Sequence, residues 1–138
     1  MNKNIKTGLI IILATILGYI TMGFLITVVQ EWIFGGVSYN KSSLIVLAVA
    51  GFGTFLSAIM GGWLAYFINS YSTKLSNMIM CGMVIVETTW ILNTFKAESP
   101  IWFDVLAALS LIIGILIPTQ LNIFRINIAK IKYKKSEE

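Results

Sequence analysis

No histidine occurs in the chain, and there are only one cysteine and two prolines; charged residues make up 12% of its 138 positions. Each scarcity removes a class of function. Without imidazole there is no haem held by an axial His, no usual zinc site and no triad that uses His as its base. A lone cysteine, Cys81, cannot close an internal disulfide, and its apolar surroundings read as those of a small buried hydrophobe. The chain carries no glycine-rich phosphate loop, so no nucleotide or other cofactor is expected. With the usual bases missing as well, no enzymatic activity is expected. Soluble domains carry about 25% charged residues. This chain is instead 57% hydrophobic, with a mean hydropathy of +0.86. It has too little polar surface to coat a globule in water, so the expected solvent is a lipid bilayer.

What is present supports that expectation. Four apolar stretches run over about 8–29, 43–68, 77–94 and 101–124. Each is near the roughly 20 residues that a helix needs to cross about 30 Å of hydrocarbon. None alternates polar with apolar residues as a barrel strand would. The first stretch follows Lys3 and Lys6, as a signal peptide would. It is too long for a cleaved signal and no small-residue cleavage pair follows it, so a retained helix is expected. The loops between stretches are short, which predicts that sequential helices are antiparallel neighbours. The expected fold is therefore an all-α membrane protein: one domain over 1–138, built as an antiparallel up-down bundle of four transmembrane helices with a basic tail over 125–138.

Net charge is +4. In a soluble protein that would suggest nucleic acid, but here the basic residues flank the apolar stretches, so no nucleic-acid partner is expected. With the N-terminus inside, Lys3, Lys6, Lys74, Arg125, Lys130, Lys132, Lys134 and Lys135 are cytoplasmic, and only Lys41 and Lys96 lie outside. Under the positive-inside rule this asymmetry puts both termini on the cytoplasmic side of a cell membrane. The tail can also rest on anionic lipid.

The second stretch carries a packing signal. Gly53, Ser57, Gly61 and Ala65 recur every four residues and form one small-residue stripe; Ala50, Thr54, Ala58 and Gly62 form a second beside it. Between helices in lipid, small residues let backbones approach closely. This face is expected to be buried against a helix of the bundle or of a partner subunit. Trp32 and Trp102 fall near the outer boundary, and Trp63 and Tyr66 near the inner one, as membrane-interface aromatics do. Pro118 is a candidate kink in the fourth helix.

Polar residues inside the stretches are the candidate functional groups. Glu87 lies about nine residues into the third, roughly 13 Å deep at 1.5 Å per residue. No Lys or Arg reaches that depth. A carboxyl there has to be neutral or well hydrogen-bonded, and such residues are functional candidates by default. Tyr19 and Ser57 are its first candidate partners, with Thr15, Thr54 and Ser110 at similar depth. A second candidate group gathers near the outer face: Glu31, Asn93 and Asp104, with Tyr39.

Gly61-Gly62-Trp63-Leu64-Ala65 at the end of the second stretch and Pro100-Ile101-Trp102-Phe103 at the start of the fourth resemble a group of small bacterial four-helix membrane proteins. That group tends to carry Gly-Gly-aromatic-x-Ala and Pro-x-Trp-aromatic at these places. Glu31 and Asn93 also match its Glu near the end of helix one and its Asn shortly before the Pro. Glu98-Ser99 departs from it, where a Pro-His pair is usual. The group has no assigned activity, so the resemblance implies the four-helix fold and a bacterial inner-membrane location. Small multidrug transporters share the size and one membrane Glu, but theirs is in helix one and Glu87 is in helix three.

Two functions are therefore expected. The first is a non-enzymatic protein that acts through helix association, as an accessory subunit or a homo-oligomer. The alternative is a proton-coupled transporter of a small solute, working as a dimer around Glu87 or Glu31.

Overall fold

In the computed structural model the described residues are 3–69, 74–94 and 100–134, with side chains described for 5–69, 74–94 and 100–121. Lys96, Glu98, Ser99 and Lys135 lie outside them, as do the side chains of the other basic tail residues. Four α-helices make up the fold: α1 (Lys3–Thr27), α2 (Leu44–Ile68), α3 (Leu75–Thr94) and α4 (Ile101–Lys134). All four are long and apolar enough to span a bilayer. There is no strand among the described residues. The chain is an all-α, multi-pass membrane protein.

Helix ends follow local chemistry. α2 starts at Leu44 because the Ser43 side chain caps it, accepting a hydrogen bond from the Val46 N–H. The first helical run continues past the expected stop at Val29, through a π-helical turn over Val28–Ile33. Gln30 and Glu31 do not break it. It ends where Gly35 and Gly36 take φ of 67° and 94°, and their N–H groups bond back to the carbonyls of Glu31 and Gln30. Such positive φ is open to glycine at no steric cost. α4 likewise runs on past Phe124 to Lys134, and Pro118 sits inside it, buried, without ending it.

Helix directions alternate. Gly18 of α1 lies against Gly61 and Ala65 of α2, Gly62 of α2 lies against Ile115 of α4, and Asn77 of α3 reaches both Gly62 and Ile115. The start of α1, the end of α2, the start of α3 and the later part of α4 thus share one end, called here the near end. The far end holds the turn after α1 and the start of α4.

Neighbour relations are less regular than the short loops imply. α2 packs most closely on α1 and then on α4, and α3 packs on α4 and α1. α2 and α3 meet least of the helix pairs that touch, and α1 and α4 do not meet among the described residues. Going round the bundle, the order is α1, α2, α4, α3. The expected side-by-side placement of α2 and α3 is therefore replaced by a diagonal. The reason lies on α2. Its Gly61–Ala65 stripe takes the α1 backbone and its Ala58–Gly62 stripe takes α4, so no small-residue face remains for α3. A Cβ on Gly61 would stand 2.6 Å from the Gly18 carbonyl oxygen, and one on Gly62 would stand 2.6 Å from the Ile115 carbonyl oxygen. Both stripes are spent inside the bundle. The buried core is Met22, Ala58, Ala65, Met80, Val84 and Ile115, with both of its alanines on the α2 stripes.

Candidate functional site

Three polar arrangements join helices. At the near end, Asn77 is fully buried, and its Nδ2 donates to the carbonyl of Gly62 at 2.9 Å and to that of Ile115 at 2.7 Å. One side chain of α3 thereby ties down α2 and α4. Its Oδ1 and the Ser76 hydroxyl, also buried, have no partner among the described residues. Asn77 reads in the sequence as the polar edge of a span. Only the ring order shows that it faces inward.

The second arrangement is the midspan pair. The Tyr19 hydroxyl of α1 donates to Glu87 Oε2 of α3, and the described residues make no other hydrogen bond to that carboxyl. The remaining candidates for Glu87 all bond elsewhere. Ser57 donates to the Gly53 carbonyl, Thr15 to Ile11, Thr54 to Ala50 and Ser110 to Ala107. Glu87 is exposed on the outside of the bundle, not enclosed by it. Around it the surface of α3 is apolar and equally uncovered, with Val86 70% and Trp90 67% exposed. In a bilayer, that surface meets hydrocarbon or another protein.

The third lies in the far half. Gln30, in the π-helical turn, donates from Nε2 to the Thr54 hydroxyl at 3.2 Å. Below the turn after α1 the helices part and leave a partly open cavity of about 920 Å³, called here the funnel. Its wall includes Gln30, Tyr39 and Thr54, with Trp102, Asp104 and Ser110 of α4. Tyr39 packs edge-on to Trp102 with ring centroids 6.1 Å apart, and against Phe103 at 5.2 Å.

The outer-face residues Glu31, Asn93 and Asp104 are dispersed over this region. Asp104 lines the funnel, but Glu31 and Asn93 do not. Glu31 is exposed, with its carboxylate beside Gly36. Asn93 is exposed, and its Nδ2 donates to the Thr89 carbonyl of its own helix. Cys81 is half-buried, with its thiol 4.0 Å from the Ile112 carbonyl. Sequence reasoning missed Gln30 as a site residue. The signal available was a polar amide five residues before Gly35, at the end of the run that packs on the small-residue face of α2.

Comparison with known proteins returns no match for this chain, whether to a family model, a curated protein or a solved structure.

Proposed function

We propose that the protein is a non-enzymatic subunit of the bacterial inner membrane that acts by helix association, with a second copy of itself or with another membrane subunit. Glu87 carries this reading. A carboxyl on the membrane-facing surface of α3, with one hydrogen bond from Tyr19, is costly against hydrocarbon; acidic side chains at a helix centre cost roughly 2.5–3.5 kcal/mol on insertion scales. A partner helix that supplies a donor to the second oxygen removes most of that cost. Internal packing occupies the small-residue stripes of α2, which leaves the Glu87 face of α3 as the surface for association. The basic asymmetry supports cytoplasmic termini in this reading.

The test is native mass measurement in mild detergent. The parent is expected in a complex heavier than the 15.3 kDa chain, whether with itself or with a co-purifying subunit. Glu87→Gln, which keeps a hydrogen-bonding group, retains the complex and Glu87→Leu loses it. A parent that is monomeric and alone in every mild detergent rejects the proposal.

The single hydrogen bond from Tyr19, with no basic partner among the described residues, leaves Glu87 able to take up a proton and so favours the proton-coupled alternative as a second reading. Under that reading Glu87→Gln leaves the assembly intact but abolishes solute uptake driven by a pH gradient, because an amide cannot release a proton.

A further inference from the structure

We propose that α3 pairs in parallel with α3 of a second copy of this chain, and that the Trp90 indole of each copy donates to the Glu87 carboxyl of the other. The inference rests on the reading that the Glu87 face of α3 is the surface of association. The outer surfaces of the four helices differ. Over 9–24 of α1, 44–67 of α2 and 101–109 of α4, every exposed residue is apolar. On α3 the exposed residues include Glu87, Thr89 and Asn93, and α3 is the least hydropathic of the four spans. Polar groups are costly against hydrocarbon, so α3 is the helix that a partner has to cover.

The face itself points to a second copy as that partner. Ile79, Met83, Val86 and Trp90 are spaced by four, three and four, and each is at least 40% exposed. That spacing is the seam along which two parallel helices interlock with a left-handed crossing. Two copies inserted in the same direction are related by a two-fold axis along the membrane normal, so the seam of one meets the same seam of the other at equal depth. Glu87 flanks the seam and has one hydrogen bond, from Tyr19. Trp90 lies within the seam, and its indole N–H donates to no acceptor among the described residues. A helical side chain leans toward the N-terminus of its helix, so the Trp90 ring reaches back over the roughly 4.5 Å of rise to the level of Glu87. One face thus carries a carboxyl with acceptor capacity to spare and an indole with a free donor. Across a two-fold axis that pair forms twice, and each copy supplies what the other lacks.

Cysteine crosslinking in native membranes tests the pairing, in a Cys81→Ser background. On oxidation, Val86→Cys and Met83→Cys are expected to give a covalent dimer of twice the 15.3 kDa chain. Ile85→Cys, 54% exposed but turned off the seam, is expected to give none. Energy transfer between labelled copies in liposomes, followed as lipid is added, then measures the strength of pairing. Trp90→Phe keeps a ring and loses the N–H. It should weaken dimerisation about 10-fold, the effect of losing two intramembrane hydrogen bonds. Glu87→Gln, which keeps an acceptor, should dimerise as the parent does. Trp90→Phe added to Glu87→Leu should weaken pairing no further than Glu87→Leu alone, since both remove the same bond. A Val86→Cys adduct with a different protein overturns the second copy as partner while association through this face stands. No adduct at any position removes that association as well. Equal dimer from Val86→Cys and Ile85→Cys, which is chance collision, or a Trp90→Phe variant that pairs as tightly as the parent, also overturns the proposal.

Discussion

The two halves of the bundle contain the same four helices but meet in different ways. In the near half, backbone lies on backbone: Gly18 against Gly61 and Gly62 against Ile115. In the far half, side chains hold the helices apart. Gly53 has the side chain of Val29 as its nearest neighbour, and Gly51 faces open space. Leu47, Leu106 and Trp102 line a gap there, together with Gly51, Ala50 and Ala107. The comparison shows what sets helix separation in a membrane protein. Water does not drive apolar side chains together there, so helices approach closely where small residues face a neighbour's backbone, as Gly61 faces Gly18. Gly51, Ala50 and Ala107, beside larger neighbours, line the gap without closing it.

The largest effect that should follow is a contrast between glycines of one helix. Gly62→Leu puts a side chain against the Ile115 backbone, which cannot turn aside. Its cost should reach the upper end of overpacking penalties, about 3 kcal/mol. Gly51→Leu, with nothing within 4 Å of its Cβ, should leave thermal aggregation in detergent at or above the parent temperature. Equal melting of the two variants would erase the distinction between the halves.

A smaller effect sharpens the near half. Asn77→Leu removes the clamp on Gly62 and Ile115, where intramembrane hydrogen bonds are worth about 0.6–1.7 kcal/mol each. The variant also removes the unpartnered Oδ1, which offsets part of the loss. A net destabilisation of about 1–2 kcal/mol is expected. A neutral result in detergent unfolding would mean that the small-residue contacts hold α2 and α4 without α3.

The smallest effect belongs to the far half. Thr54→Val removes the acceptor that Gln30 uses and should cost about 0.6 kcal/mol. Gln30→Ala should cost the same, and the double variant no more than either alone, since both remove one bond. Additive losses in that double-mutant cycle would show that the two side chains act separately.

Much of the fold was legible from the residues. Span number and rough limits follow because bilayer thickness fixes helix length, and the start at Leu44 and the ends at Ile68 and Thr94 fall where the apolar runs do. The limits of α1 and α4 were less legible. A helix can carry Gln30, Glu31 or the basic stretch after Phe124 at an interface without breaking, so hydropathy falls before the helix stops. The ring order was not legible, because a short loop is compatible with a diagonal as well as an adjacent pair. The funnel depends on that order and was hidden with it. Tyr19 was one of five partners at the right depth for Glu87, and only the rotation of α1 and α3 selects it. Depth can be counted along a sequence, whereas rotation about the helix axis depends on every contact at once.

Association through the Glu87 face of α3 is the central claim, and photocrosslinking in native membranes addresses it most directly. A benzophenone amino acid at Val86, 70% exposed beside Glu87, is compared with one at Phe52 on the outer face of α2, 61% exposed. The account predicts a single adduct of defined mass at Val86 and none at Phe52, with the Val86 adduct lost when Glu87→Leu is added. Adducts at neither position, or equally at both, would mean that α3 faces lipid as α2 does and would contradict the account.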